Sequence, residues 1–115
     1  MHEMSLIEGI LRQVEGAARR EGARRVKTVV LEIGRLASVE TDAMHFCFAA
    51  VEDKGLASGA QLEIIEIPGA GLCNDCGGTV PMDEAIGTCP LCGSCCLTPT
   101  AGTEMRVREI EIEEE

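Results

Sequence analysis

The sequence is poor in aromatic and in basic residues. It contains two phenylalanines, Phe46 and Phe48, and neither tryptophan nor tyrosine. A base-stacking surface of the kind that binds RNA or single-stranded DNA needs several exposed rings. Ten basic residues against twenty acidic ones leave a net charge of −10, which opposes contact with a phosphate backbone or an anionic membrane. We therefore expect neither a nucleic acid nor a membrane as a partner.

Long apolar runs are missing as well. No stretch approaches the roughly 18 apolar residues that a membrane-spanning helix needs. The opening residues, Met1 to Met4, carry no basic stretch and no apolar core of the signal-peptide kind. These features predict a cytoplasmic protein. With 115 residues, 45% of them hydrophobic, the chain suits one core and is not a disordered acidic tail.

The hydrophobic pattern predicts an α+β fold. Two segments have helical periodicity, and three are rich in β-branched or alternating apolar residues. In chain order these are a helix over 4–21, a strand over 26–33, a helix over 41–53, a strand over 61–67 and a strand over 103–112. In the first strand, Val29, Leu31 and Ile33 are expected to share one face. In the second, the alternation changes phase between Ile64 and Ile65, which predicts a bulge or burial on both faces.

A cysteine-rich segment separates the last predicted strand from the others. It holds six of the seven cysteines, between Cys73 and Cys96, and little apolar periodicity. Such a segment does not build a core without a further cross-link. The final strand needs a sheet, and the nearest one is formed by the earlier strands. We infer an insertion, with one domain over 1–68 plus 102–115 and an inserted domain over 69–101.

Four of the cysteines form two copies of the motif C-x-x-C-G. They are Cys73, Cys76, Cys89 and Cys92. Two thiolates three positions apart can bind one tetrahedral metal from a tight turn, and the following glycine suits a positive φ. Four thiolates favour Zn²⁺ and leave no open coordination position, so the predicted site is structural. Free cysteines, a redox pair and an iron–sulfur cluster are the alternatives.

Three further cysteines lie outside this set. Cys95 stands three residues after Cys92, so these two residues form a competing chelate. We assign the metal to the matching motifs and no specific role to Cys95 and Cys96. A thiol redox protein that uses Cys92 with Cys95, or Cys95 with Cys96, is an alternative function, although nothing supplies a general base near those thiols. Cys47 falls on the apolar stripe of the second predicted helix, and we expect it to be buried.

The chain starts Met1-His2-Glu3. A free α-amine, the His2 amide nitrogen and the His2 imidazole can together surround one metal ion. A fourth ligand is available from Glu3, through its amide or its carboxylate. A planar, nitrogen-rich set suits Ni(II) or Cu(II) better than Zn²⁺. The alternative is an exposed histidine ahead of a helix, without a metal.

Several stretches of the chain match a known family pattern. They are Met1-His2-Glu3-Met4-Ser5-Leu6, Val29-Val30-Leu31-Glu32-Ile33-Gly34 with Val39-Glu40, Leu62-Glu63-Ile64 and the two C-x-x-C-G motifs. With these stretches the chain resembles the HypA/HybF family of nickel metallochaperones for [NiFe]-hydrogenase maturation, and the resemblance covers essentially the whole chain. Two departures are Met4, where the family commonly has leucine, and the doublet Cys95-Cys96.

This resemblance implies two helices on a three-stranded sheet, with a zinc-ribbon-like domain inserted before the last strand. It implies that Ni(II) binds as cargo through the α-amine of Met1, through His2 and nearby amides, and with a contribution from Glu3. It implies structural Zn(II) at the four motif cysteines. The implied partners are a GTPase nickel-insertion accessory protein, the [NiFe]-hydrogenase large subunit and, in some members, urease maturation proteins. Such a carrier is not an enzyme. The alternative is a zinc-ribbon scaffold or interaction module without a nickel role.

Overall fold

A computed structural model describes residues 2–84 and 86–114 of the chain. Its elements are α1 (Glu3–Arg20), β1 (Ala23–Gly34), α2 (Thr41–Ala50), a 3₁₀ turn (Gly55–Ala57), β2 (Gln61–Ile67), β3 (Gly69–Cys73), β4 (Thr79–Met82), β5 (Leu97–Ala101) and β6 (Met105–Glu114). The described residues form two three-stranded sheets, in the orders β2-β1-β6 and β4-β3-β5. The predicted α+β class is confirmed. The second sheet, here called the ribbon sheet, is not anticipated by the hydrophobic pattern.

The described residues divide into two compact units. The first unit contains the residues up to Leu31, Val39–Ile65 and the residues from Val107 onward. The second unit contains Glu32–Ser38 and Glu66–Arg106, and therefore the whole ribbon sheet. The domain limits inferred from the sequence, 69–101 inserted between 1–68 and 102–115, stay a prediction.

Helix α1 buries one face in the first unit. Its buried apolar side chains recur every three or four residues and belong to Ile7, Ile10, Leu11, Val14 and Ala18. The helix packs against α2 and against the 3₁₀ turn. It ends at Arg20, and Gly22 follows with a φ of +70°, which glycine adopts at low cost. None of the helices in the described part of the chain is long and apolar enough to cross a membrane.

Strand β1 and helix α2 contribute further buried side chains. The predicted strand residues Val29, Leu31 and Ile33 are all buried; the first two belong to the first unit and Ile33 belongs to the second. Helix α2 buries Met44 and Phe48, which lie one turn apart. The expectation that Cys47 is buried is wrong: it is only half-buried, because its position is rotated by about 100° from Phe48 around the helix axis.

The ribbon sheet is antiparallel, with β3 in the centre. Its outer strands each contain a proline. Pro81 of β4 lies opposite Ala70, and Pro99 of β5 lies opposite Gly71. Proline has no amide hydrogen to donate, so an edge is the position in a sheet that tolerates it.

Glycines bring three backbone segments of the second unit into direct contact. The Gly34 amide donates to the Glu104 carbonyl oxygen at 2.7 Å, and the Leu36 amide donates to the Gly102 carbonyl oxygen at 2.7 Å. A Cβ atom on Gly34 would overlap that same Gly102 carbonyl. Gly102 has a φ of +93°, and a Cβ there would lie 2.6 Å from the Cα of Gly69. Backbone therefore packs on backbone at these three glycines, which we call the glycine junction.

Candidate metal centres

The four motif cysteines of the second unit converge on one point. Their sulfur atoms all lie within 4.8 Å of one another. The Cys73 and Cys92 sulfurs are 3.5 Å apart, and those of Cys76 and Cys89 are 3.8 Å apart. A tetrahedral ion with Zn–S bonds of about 2.3 Å places its sulfur ligands about 3.8 Å apart. The cluster therefore fits a structural zinc ion in both donor type and spacing.

The two C-x-x-C-G motifs fold in the same way. The Gly77 amide donates to the Cys73 carbonyl oxygen at 2.9 Å, and the Gly93 amide donates to the Cys89 carbonyl oxygen at 2.8 Å. Gly77 has a φ of +76° and Gly93 a φ of +79°. The positive φ predicted from the sequence is thus present at both glycines. Each turn is closed by its own hydrogen bond, so the sulfur pairs are positioned locally.

The cluster has a buried half and an exposed half. Cys73 and Cys89 are 0% and 1% exposed, and we call them the inner pair. Cys76 and Cys92 are exposed, and we call them the outer pair. Each motif contributes one inner and one outer sulfur. Solvent and dissolved reagents therefore reach the cluster from the side of the outer pair.

The thiols differ in proton affinity. The Cys76 backbone amide, as the largest contribution, lowers the pKa of Cys73 to about 7. The Ser94 amide acts in the same direction on Cys92, but the neighbouring Cys73 sulfur and partial desolvation together raise the pKa of Cys92 to about 12. Backbone amides thus stabilise the thiolate form of Cys73, whereas the neighbouring Cys73 sulfur disfavours ionisation of Cys92. Without a cation the four thiols would therefore not all ionise near neutral pH, and a bound cation would favour the thiolate form of all four.

Cys95 and Cys96 are exposed and lie outside the four-sulfur group. Their segment is tied to the first motif. The Asn74 amide and side-chain nitrogen donate to the Cys96 carbonyl oxygen at 2.9 and 3.0 Å. The Ser94 hydroxyl donates to the Asp75 carboxylate and accepts from the Cys96 amide. The spare thiols are therefore held beside the cluster rather than on a free arm.

The predicted nickel ligands lie at the start of α1. Met1 lies outside the described residues, and the His2 side chain is exposed. The Leu6 amide donates to the His2 carbonyl oxygen at 3.1 Å, so helical hydrogen bonding begins at that carbonyl. The amides of a first helical turn have no acceptor within the helix. The amides of this turn therefore have no helical carbonyl oxygen to donate to, and that of Glu3 donates to the Glu3 carboxylate.

The Glu3 carboxylate points into the first unit. Its residue is 6% exposed, and it accepts a hydrogen bond from the Glu40 amide at 3.4 Å. Glu40 is the N-cap of α2, where a carboxylate interacts favourably with the helix dipole. This contact links the first turns of the two helices. It was not predicted, because 37 residues separate the two positions and no local pattern connects them.

Glu3→Ala is expected to lower the urea midpoint of unfolding, because it removes the buried acceptor of the Glu40 amide. Glu3→Gln keeps an oxygen acceptor, so its effect should be smaller. The control is Glu8→Ala, at an exposed position on the same helix. Equal midpoints for Glu3→Ala and Glu8→Ala would show that the contact contributes nothing to stability.

The family model for HypA, described as hydrogenase/urease nickel incorporation, metallochaperone, matches residues 1–112. The hydrogenase maturation factor HypA of Dechloromonas aromatica is 65% identical over 113 residues, which is 98% of this chain and 100% of that protein. The factor of the same name from Albidiferax ferrireducens is 54% identical, with the same coverage. The solution structure of the Ni metallochaperone HypA from Helicobacter pylori gives a TM-score of 0.69 at 25% identity, covering 100% of both chains.

Proposed function

Because the chain belongs to the HypA family of hydrogenase and urease nickel-incorporation metallochaperones, we propose that it binds Ni(II) at its N-terminus and delivers it during [NiFe]-hydrogenase maturation. The match over residues 1–112 carries this proposal, since it includes both the N-terminal segment and the cysteine cluster. A zinc-ribbon scaffold without a nickel role is not favoured, because it would not explain why the N-terminal segment also matches the nickel-metallochaperone family.

We assign nickel binding to nitrogen donors: the α-amine of Met1, the amide and imidazole nitrogens of His2, and the amide nitrogen of Glu3. A planar nitrogen set is a good match for Ni(II). The site requires that Met1 is the N-terminal residue of the mature protein.

The proposed role is transport without bond chemistry. Ligands from one short terminal segment can be removed one by one, so the ion is transferable to a partner. Binding displaces protons from the amine, the amides and the imidazole, and nickel affinity therefore falls as the pH falls. The protein is on this account a carrier and not an enzyme. Nickel passes from it, with a GTPase nickel-insertion accessory protein, to the hydrogenase large subunit; urease maturation proteins are further candidate partners.

We assign structural Zn(II) to Cys73, Cys76, Cys89 and Cys92. When bound, zinc supplies no chemistry to the nickel cargo and holds the two motifs together. The four residues have to stay reduced, which favours a cytoplasmic location over an oxidising compartment.

A nickel titration of untagged, zinc-loaded protein tests the terminal site. We expect one Ni(II) per chain by calorimetry and absorption. His2→Ala, and a variant with one glycine added ahead of Met1, should each bind nickel roughly 100-fold more weakly or not at all, because each removes a donor or displaces the amine. His45→Ala is the matched control, since His45 is the other histidine and is exposed on α2.

Equal binding by all four proteins would place nickel elsewhere and contradict the terminal site. Loss of binding in His45→Ala alone would do the same. A binding curve for the native protein that shifts to weaker affinity on acidification would agree with proton displacement, and a pH-independent curve would not.

A further inference from the structure

Cys92 and Cys95 stand on either side of a short segment that is bonded to Cys89. The Gly93 amide donates to the Cys89 carbonyl oxygen at 2.8 Å, and the Cys89 amide donates to the Ser94 carbonyl oxygen at 2.7 Å. Cys95 directly follows Ser94. Fixed peptide dimensions then hold the Cys95 Cα within about 5.5 Å of the Cys89 amide nitrogen. The backbone at both Cys92 and Cys95 is therefore held close to Cys89, which belongs to the inner pair.

Exposure decides which ligands of the cluster can be exchanged. The inner pair is enclosed by the second unit, whereas Cys92 and Cys95 are both exposed. A neighbouring thiol can therefore approach the metal only from the outer side. The bonds from Asn74 to the Cys96 carbonyl keep the segment that carries Cys95 at this location.

The first motif has the same backbone without the extra sulfur. The Cys73 amide donates to the Gly78 carbonyl oxygen at 2.8 Å, which matches the bond from Cys89 to Ser94. The residue after Gly78 is Thr79. Cys76 and Cys92 are thus matched outer ligands, and only Cys92 has a second thiol three residues further along the chain.

We propose that Cys95 is a reserve zinc ligand that replaces Cys92 when that outer thiolate is lost. In the exchange, the Zn–S bond to Cys92 would break and the released Cys92 sulfur would take up a proton from solvent, while the Cys95 thiol would release its proton to solvent and its sulfur would form the new Zn–S bond. The number of coordinating thiolates stays at four. This inference rests on the zinc assignment of the proposed function and is independent of nickel. Zinc content of the native protein tests that assignment by itself.

The test compares zinc binding in full-length Cys92→Ser, Cys76→Ser and the double variant Cys92→Ser/Cys95→Ser. Zinc per chain is measured after competition with a chelator of known affinity. Cobalt substitution adds a count of bound thiolates, through the intensity of the thiolate-to-cobalt charge-transfer band. We expect Cys92→Ser to stay within about tenfold of the native affinity with a four-thiolate spectrum, and the other two to bind about 100-fold more weakly with a three-thiolate spectrum. Cys92→Ser/Cys96→Ser should behave like Cys92→Ser.

Alkylation by iodoacetamide, mapped by mass spectrometry, gives a second measurement that does not depend on affinity. In zinc-loaded native protein Cys95 should react; in zinc-loaded Cys92→Ser it should be protected while Cys96 still reacts. The proposal is overturned if Cys92→Ser binds zinc as weakly as Cys76→Ser. It is also overturned if Cys95 stays reactive in Cys92→Ser, or if removing Cys95 from that variant changes nothing.

Discussion

Removal of zinc by a chelator under reducing conditions is expected to unfold the ribbon sheet while the first unit keeps its fold. The hydrophobic cluster of the ribbon consists of Val80, the inner cysteines Cys73 and Cys89, and the partly buried Leu97. Two of its four members are thus proposed zinc ligands. Structural zinc contributes about 10–16 kcal/mol to small domains of this kind, whereas one buried valine contributes about 2 kcal/mol.

Amide hydrogen exchange measures this outcome residue by residue. After chelation, the amides of Cys73 and Cys89 should lose protection, whereas that of Leu31 in the first unit should keep it. Leu31 belongs to a core of aliphatic side chains that needs no metal. Re-addition of zinc should restore the exchange pattern, and magnesium, which prefers oxygen ligands, should not. Simultaneous loss of protection at all three amides would mean that the two units unfold together.

Gly34→Ala is expected to be the most destabilising single methyl substitution in the glycine junction. A Cβ atom at this position meets the Gly102 carbonyl group, which is backbone and has no rotamer to change. The Gly102 carbonyl is also the acceptor of the Leu36 amide, so moving it breaks a hydrogen bond. Together these effects should cost about 3 kcal/mol or more in the free energy of unfolding.

Urea unfolding of the variant and of Gly87→Ala measures the effect of the junction alone. Gly87 belongs to the same unit, but a Cβ there meets no atom within 4 Å. Its substitution should change stability by no more than about 0.5 kcal/mol. Similar destabilisation by both substitutions would show that the unit is sensitive to any glycine replacement and would refute the role of close backbone packing.

The helices and strands of the first unit were predictable because burial of one face of an element requires apolar residues at regular intervals in the sequence. Strand β2 runs over Gln61–Ile67, the same residues that the pattern indicated. Of the two alternatives expected at Ile64 and Ile65, burial on both faces is wrong, since Ile65 is 37% exposed while Ile64 is half-buried; the bulge stays a prediction. Helix α2 ends at Ala50 rather than at residue 53, because Val51 already has an extended backbone. Periodicity thus locates an element better than it fixes its end.

The ribbon sheet was not predictable from apolar pattern because its strands are held by cross-strand contacts and by the cluster. Strand β3 contains Gly69 and Gly71, which in isolation indicate a break. At Gly71 the space of a side chain is occupied by the Met82 side chain, so this glycine lies in a packed strand and not in a turn. The four metal-binding candidates were predictable, in contrast, because C-x-x-C-G spacing is local. The contact between Glu3 and Glu40 joins positions far apart in the chain, so no local sequence motif predicts it.

The prolines at the rims of the ribbon sheet limit how another protein can recognise it. An incoming strand that extends a sheet depends on an uninterrupted row of main-chain donors and acceptors. Pro81 and Pro99 each interrupt that row within strands of only four and five residues. Partners that dock on this unit therefore have to identify it by its side chains. A single substitution on the surface of this unit can then change which partner proteins bind it, while its backbone fold stays the same.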